Sequence, residues 1–275
     1  MTHQNKGLSR NTIDKYYTSP ETVERIIDIV SKSVNINYRL DTIIEPSAVN
    51  GAFIGNIKKL AKNTVFIDIE PENLQITKTD FLEYSPVIGE SSIHVIGNPP
   101  FGRQSSLAIK FIKHACVFAN TVAFILPKSF KKDSMRRHFP LNYHTIAEVD
   151  IPKNSFIVNG EPHDVPCVFQ IWEKRDILRE VVKREVPVKF KFVKHDENPD
   201  VSFRRVGVYA GRVDTTTENK SPQSHYFIKL EVPITDELIS ALNIIDYKNK
   251  SDTVGPKSIS KDELTREFNV VLSNF

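Results

Sequence analysis

Four short apolar runs punctuate the first half of the chain: Thr42–Glu45, Thr64–Asp68, Ser92–Ile96 and Thr121–Leu126. Between them, Ala52–Ala61 and Ser106–Phe118 repeat their apolar residues at helical intervals. Upstream, Pro20–Val30 opens with proline and acidic residues in its first turn, which predicts a helix start. Strands that alternate with helices predict an α/β fold built on a mostly parallel sheet covered on both faces. Such sheets bind ligands where loops leave the carboxyl ends of the strands. The loops of this chain are therefore where its chemistry is expected.

Further along, Ser155–Val158 and Val165–Glu173 flank Asn159-Gly160, a favoured tight-turn dipeptide, and predict an antiparallel hairpin that closes the sheet. After about Asp176 the texture changes. Val186–Val193 alternates apolar residues with lysine, as a half-exposed strand would, and Asp214–Ser224 is polar and reads as a loop. Ser260-Lys-Asp-Glu263 is a capping box that opens a late helix. The organisation expected is a main domain over residues 1–180 and a C-terminal extension over 181–275, serving as a substrate-recognition or partner-binding module.

Composition narrows the class. With 40% hydrophobic and 26% charged residues, the 275-residue chain can bury a core. Only Cys116 and Cys167 occur, so neither a disulfide framework nor a zinc cluster is expected. No apolar run reaches the roughly 18–20 residues of a membrane span, and Met1–Lys6 lacks the apolar core of a signal peptide. A soluble, intracellular protein without membrane partners is the expectation. A net charge of +3 is too small for a protein that coats nucleic acid, so any such contact must be a local patch.

The sharpest motif is Asn98-Pro99-Pro100-Phe101, directly after the run that ends in Ile96. Two prolines fix the backbone and remove two N–H donors, which leaves carbonyls to accept hydrogen bonds from something else. Asn98 adds a side-chain acceptor and Phe101 a flat π face, a set that suits an amino group on a planar ring. Taken alone, the tetrapeptide also reads as a proline-rich turn over a buried phenylalanine. Three more features sit at strand ends. Glu45–Phe53 follows the first strand, and its small residues and Gly51 allow close approach of a backbone to a ligand. Asp68 ends the second strand, where an acid commonly takes a ribose diol. Asp80-Phe81 pairs an acceptor with an aromatic, as an adenine ring requires.

In this order the motifs resemble the S-adenosylmethionine-dependent amino-methyltransferases, in particular the gamma-class adenine-N6 methyltransferases of nucleic acids. The resemblance covers about residues 15–175. It implies a Rossmann-like methyltransferase fold, with a mostly parallel seven-stranded sheet, a terminal antiparallel hairpin and a small C-terminal extension. It implies S-adenosylmethionine as cofactor, with Lys15–Pro20 as the cofactor-touching segment and Thr18 at the contact position, Tyr17 beside it. By the same resemblance Ser47 and Ala48 line the methionine part, Asp68 takes the ribose, Asp80 and Phe81 hold the adenine, and Glu45, Gly51 and Ile69 are further cofactor-binding positions. Asn98, Pro99, Pro100 and Phe101 hold the target amine, with Asn98 also next to the cofactor, and Phe156 matches the aromatic that faces the target base, a core phenylalanine of the hairpin being the equal alternative. One departure stands out: the family's Ser-Ala-Gly-x-Gly reads Ser47-Ala-Val-Asn-Gly51, with Val49 in place of the first glycine.

The expected partner is a nucleic acid, DNA or RNA, with DNA slightly favoured by the class resemblance and not by any residue. Lys128, Lys131, Lys132, Arg136 and Arg137, with Phe130 interleaved, suit phosphate contacts plus stacking; a solvated charged helix face is the alternative. Arg204, Arg205 and Arg212 around Tyr209 form a second candidate patch. Pro166-Cys167 brings a cysteine nucleophile to mind, as in cytosine-C5 methyltransferases, but its apolar, strand-like surroundings make Cys167 a packed core thiol, as Cys116 is. Three functions stay open at this point: adenine-N6 methylation of DNA or RNA, methylation of another planar amine or amide such as protein glutamine or guanine-N2, and a catalytically inactive cofactor-fold subunit.

Overall fold

The computed structural model describes residues 16–181, 183–253 and 255–275, so the readings made on Lys15 and on Met1–Lys6 fall outside the described residues. The chain divides into two compact units. The first comprises the described residues up to Phe130 together with Arg136–Arg179; the second comprises Lys131–Met135 and Glu180–Phe275.

In chain order the elements are β1 (Tyr17–Thr18), α1 (Pro20–Ser33), β2 (Thr42–Glu45), α2 (Ile54–Leu60), β3 (Asn63–Asp68), β4 (Thr77–Lys78), β5 (Ile93–Gly97), α3 (Ser106–Phe118), β6 (Thr121–Pro127), the single turn α4 (Asp133–Arg136), β7 (Tyr143–Asp150), β8 (Phe156–Val158), β9 (Glu161–His163) and β10 (Cys167–Lys174). The later elements are β11 (Phe190–Val193), β12 (Val201–Arg204), β13 (Val213–Asp214), β14 (His225–Leu230), α5 (Asp236–Asn243) and α6 (Lys261–Leu272).

The first unit is organised by a seven-stranded sheet in the order β4-β3-β2-β5-β6-β10-β7. β2 through β6 run parallel, and β10 is antiparallel to both β6 and β7. This is a Rossmann-like α/β sheet, as expected. The chain builds outward from β2 to β4, then returns to lay β5 on the other side of β2, so the order reverses between β2 and β5. That reversal leaves a crevice at the carboxyl ends of the two strands. β6 is buried along its whole length, as a central strand covered on both faces must be.

α1 starts where the sequence predicts. Ser19 caps it, with its hydroxyl accepting from the Thr22 N–H at 3.3 Å, and Pro20 takes the first position, where no N–H is needed. Val23, Ile26, Ile27 and Val30 form one buried stripe at helical spacing, which packs in a core with Ile43, Phe66, Ile96 and Phe169.

Two expectations need correction. The Asn159-Gly160 turn exists, with both residues at positive φ (53° and 83°), but it joins β8 to β9, and neither strand enters the main sheet. They form a separate three-stranded sheet with β1. The main sheet is closed by β7 and β10, whose partners are distant in sequence. The second concerns the alternative reading of the basic stretch after β6 as a charged helix face: Lys128–Lys131 is a 3₁₀ turn, followed by α4.

The second unit is a four-stranded antiparallel sheet, β11-β14-β12-β13, with α5 and α6. Phe190, Val201, Phe203, Ile228, Leu238, Leu264 and Phe268 make its own apolar core. α6 opens with the full capping box, in which the Ser260 side chain accepts from the Glu263 N–H and Glu263 accepts from the Ser260 N–H. Among the described residues, no helix is long and apolar enough to cross a membrane, and no group of three or more His, Cys, Asp or Glu is placed to hold a metal ion.

Candidate active site

The crevice between β2 and β5 is where the predicted motifs converge. Glu45 ends β2, and the loop after it is tied to the loop after β3 by three bonds. The Val49 N–H donates to Asp68 Oδ2 at 3.0 Å, the Glu72 N–H donates to the Val49 carbonyl at 2.8 Å, and Asn73 Nδ2 donates to the Asn50 carbonyl at 3.3 Å. Asp68 Oδ1 accepts from the Glu70 N–H at 2.7 Å. The carboxylate is thus held rigidly at the strand end by two backbone donors.

Val49 carries φ = 41°, a left-handed conformation that a β-branched residue adopts only under constraint. This is the position where the resembling family has glycine. The chain keeps the backbone turn and accepts the strain. Gly51 lies in the same region with φ = 83°; a Cβ there would sit 2.6 Å from Ile54 Cδ1 and 2.9 Å from Asn73 Nδ2. Glycine is required at 51 by both conformation and space.

The Asn98–Phe101 motif leaves β5 next to this loop. Ser47 Oγ donates to the Asn98 carbonyl at 2.9 Å, and Asn98 Nδ2 donates to Thr18 Oγ1 at 3.3 Å. β1, the loop after β2 and the motif after β5 are therefore stitched at one point. With its amino end turned to Thr18, the Asn98 amide has its Oδ1 left as an acceptor. Asn98 and Pro100 are half-buried and Pro99 is buried. Phe101 is half-buried against the main core, and its carbonyl accepts from the N–H groups of Leu107 and Ala108, which seats the start of α3. Gly102, Gln104 and Ser105 all take positive φ (68°, 53° and 61°), so the chain turns sharply between motif and helix.

Glu45 was legible as a strand-end acid but not for its state. It is 1% exposed, and its Oε2 has no hydrogen-bond partner. Burial, with the nearby Asp68 charge adding to it, pushes its carboxyl up to about 8. At neutral pH Glu45 holds a proton, and an orphaned buried oxygen of this kind fits a hydrogen-bonding ligand. Asp68 is buried, while Ile69 and Asp80 are exposed beside it on the loops. Asp80 Oδ1 accepts from the Leu82 N–H at 2.9 Å and starts a 3₁₀ turn, Phe81–Glu83. Tyr17 donates its hydroxyl to Glu72. Ala48 is buried, with its N–H on the Ile67 carbonyl.

Several aromatic and basic residues expected at ligands are placed otherwise. Phe81 is 1% exposed, in contact with Phe111, His114 and Phe118, so its ring is packed in the core. Phe156 is likewise 1% exposed; it pairs with Thr18 across β1 and β8 and packs into the main core. Its backbone is the strand partner of Thr18, a pairing that no local pattern announces. Phe130 is fully buried, with its carbonyl accepting from Gln170 Nε2. Lys132 is buried in the second unit, donating to the Ser258 carbonyl at 2.9 Å and pairing with Glu263 at 3.4 Å. Arg136 pairs with Glu148 at 2.6 Å, and Lys128 with Asp150 at 3.5 Å. Lys131 is half-buried and Arg137 exposed. The stretch is mostly a set of ion pairs, not an open basic face. Arg204 and Arg205 lie in the second unit, the latter over the Tyr226 ring at 5.1 Å.

Cys116 and Cys167 are both buried free thiols. Burial pushes Cys116 up to about 12 and Cys167 higher still, so neither is a thiolate nucleophile.

No protein-family model and no curated protein matches this chain. Solved structures similar to it include a Pyrococcus horikoshii protein provisionally described as an RNA methyltransferase, at 16% identity and a TM-score of 0.47, over 62% of this chain and 92% of that one. A Listeria monocytogenes protein provisionally described as a class I S-adenosylmethionine-dependent methyltransferase is similar at 13% identity and a TM-score of 0.44, over 62% of this chain and 64% of that one. An rRNA methylase of Streptococcus thermophilus is similar at 12% identity and a TM-score of 0.39, over 56% of this chain and 97% of that one.

Proposed function

We propose that the first unit transfers a methyl group from S-adenosylmethionine to the exocyclic N6 amine of adenine in a nucleic acid. The observation that carries this reading is the junction of Thr18, Ser47 and Asn98, which ties the Asn98 amide to the loop after β2, beside the point where the sheet order reverses. The residues around it fit the cofactor. Buried Asp68 suits a ribose diol, exposed Asp80 an adenine amine, and the orphaned carboxyl of Glu45 a polar group of the methionine part. A cationic cofactor also favours nearby carboxylates, and Asp68 and Asp80 supply them, while the protonated Glu45 acts as a hydrogen-bonding group.

S-adenosylmethionine, when bound, supplies an electrophilic methyl group on a positively charged sulfur. The protein's task is the nucleophile. The adenine amine is weakly nucleophilic because its lone pair is delocalised into the ring. Asn98 Oδ1 and the Pro99 carbonyl, accepting its two N–H groups, favour a pyramidal nitrogen with the lone pair directed out of the ring plane. That stabilisation grows toward the transition state, so it lowers the barrier. In-line placement contributes the rest. As the nitrogen takes the methyl group, leaving a neutral thioether, it gives up one N–H proton, passed from the acceptor that holds it to solvent. Phe101 offers the flat contact for the base, and extruding that base from a duplex costs a few kcal/mol that stacking offsets.

The test is methyl transfer to matched single- and double-stranded DNA and RNA, with mass spectrometry of the digested nucleosides. N6-methyladenine from one polymer is the expected product. Asn98→Ala should lower turnover by about 100-fold or more while S-adenosylmethionine still binds in calorimetry. Normal turnover by that variant would remove Asn98 from the mechanism. A methylated guanine or a methylated protein instead would replace the substrate.

A further inference from the structure

The second unit has a cleft of its own, of about 350 Å³. It arises from the alternation of β12. Val201 and Phe203 are fully buried in the unit's apolar core, so a period of two sends Ser202 and Arg204 to the other face. Their cross-strand partners are Asp214 and His225, and directly opposed residues share a face. A bulge then brings in a second arginine. The Arg204 N–H donates to the Arg212 carbonyl, and the Gly211 N–H donates to the Arg204 carbonyl, both at 2.8 Å, so two residues oppose one. Gly211 takes φ = 106° at this bulge, which turns the Arg212 side chain into the cleft beside Tyr209 and Lys220.

The charges do not balance. Lys220 is neutralised by Asp214 at 3.0 Å. Arg204 Nε donates to the Val206 carbonyl at 2.8 Å, and among the described residues neither Arg204 nor Arg212 meets a carboxylate. Like charges gathered on one sheet face destabilise the free protein, and a bound anion reverses that cost. His225 lies buried across from Arg204 with Nδ1 held by the Ser221 carbonyl and Ser224 Oγ. Tyr209 is 69% exposed and offers an aromatic ring to a ligand. Two forked cations with an open aromatic suit a phosphate joined to a base better than they suit a peptide carboxylate. Arg205, next in sequence, takes no part, since its guanidinium stacks on Tyr226.

We propose that this cleft is a phosphate-binding site for a nucleotide unit, with Arg204 and Arg212 on the phosphate and Tyr209 on the base. It deepens the nucleic-acid reading above and rests on it only for the source of the phosphate.

The test uses the full chain without S-adenosylmethionine. Binding of a labelled single-stranded 10-nucleotide DNA or RNA is followed by fluorescence anisotropy across a salt series, with inorganic phosphate, AMP and an acidic decapeptide as competitors. Arg212→Glu should weaken binding by about 10-fold or more and lower the salt slope by about 1. Tyr209→Ala should weaken it by about 5-fold or more, and Arg212→Lys, which keeps the charge but loses the fork, should fall between the parent and Arg212→Glu. Unchanged melting temperatures establish that the variants are folded. Displacement by AMP assigns the site to free nucleotides, and displacement by unlabelled oligomer alone assigns it to the polymer; either supports the phosphate chemistry. An unchanged affinity and slope in Arg212→Glu, or displacement by the decapeptide alone, overturns it. Methyl transfer is scored separately, so intact turnover with failed binding sinks this cleft alone, and intact binding with no turnover sinks the transferase reading alone.

Discussion

The Val49 N–H donates to Asp68 Oδ2 at 3.0 Å, and to do so Val49 holds φ = 41°. The bond ties the loop after β2 to the end of β3 and orients a strand-end carboxylate. A β-branched residue in this conformation costs about 1–2 kcal/mol. Two residues on, Gly51 sits at φ = 83° with no room for a Cβ.

These neighbours should respond to substitution with opposite signs. Val49→Gly relieves the strain but adds about 0.5–1 kcal/mol of unfolded-state entropy. The expected outcome is a stability equal to the parent or up to about 1 kcal/mol higher. Gly51→Ala should cost about 2 kcal/mol or more, since it combines a strained φ with a steric overlap. Urea unfolding measures both, and a Val49→Gly variant that loses more than about 1 kcal/mol would show that the valine is unstrained.

Glu45 should make stability fall as pH rises. Its folded-state carboxyl is raised to about 8 by burial and by Asp68, against an ordinary value near 4.5. Between those values the folded protein keeps a proton that the unfolded chain has released, so unfolding becomes easier with increasing pH across that window. Above about 8 the contribution levels off. Glu45→Gln should flatten the dependence and be the more stable protein at pH 8. Urea midpoints at pH 5, 6.5 and 8 check this; parallel profiles for the two proteins would contradict it.

Lys132 should behave as a structural cation. It is buried, bonded to the Ser258 carbonyl, and paired with Glu263, which also closes the capping box of α6. Lys132→Met leaves a buried carboxylate with less compensation and should cost about 1–3 kcal/mol. The salt slope of nucleic-acid binding should not move. A stable variant with a reduced slope would return Lys132 to the substrate surface.

Neither cysteine should react in the folded state. Both thiols are buried, with pKa values pushed up by burial. Iodoacetamide at pH 8 should leave both unmodified until denaturant is added, as intact-mass spectrometry would record. Cys167→Ala should retain methyl transfer, which separates this chain from chemistry that attacks through a cysteine.

The strand–helix alternation and the strand-end motifs were legible without a structure, because each depends on a local period or a short run of residue types. Thr42–Glu45, Asn63–Asp68, Ile93–Gly97 and Thr121–Pro127 are strands within a residue or so of the apolar runs that announced them. The capping box at Ser260 is local in the same way. What the three-dimensional fold decided is pairing and burial between residues far apart in the chain. β10 inserts between β6 and β7, and β8 turns away to hold β1, although a hairpin in the main sheet satisfies the same turn signal at Asn159-Gly160. Phe81, Phe130 and Phe156 looked like ligand contacts because an aromatic ring serves a base and a core equally well; only the neighbours that cover it distinguish the two. Lys132 looked like a phosphate contact because its partner, Glu263, lies 131 residues away. Glu45 is the converse: a strand-end acid in sequence becomes a protonated, unpartnered carboxyl only once the sheet closes over it and removes water from its charge.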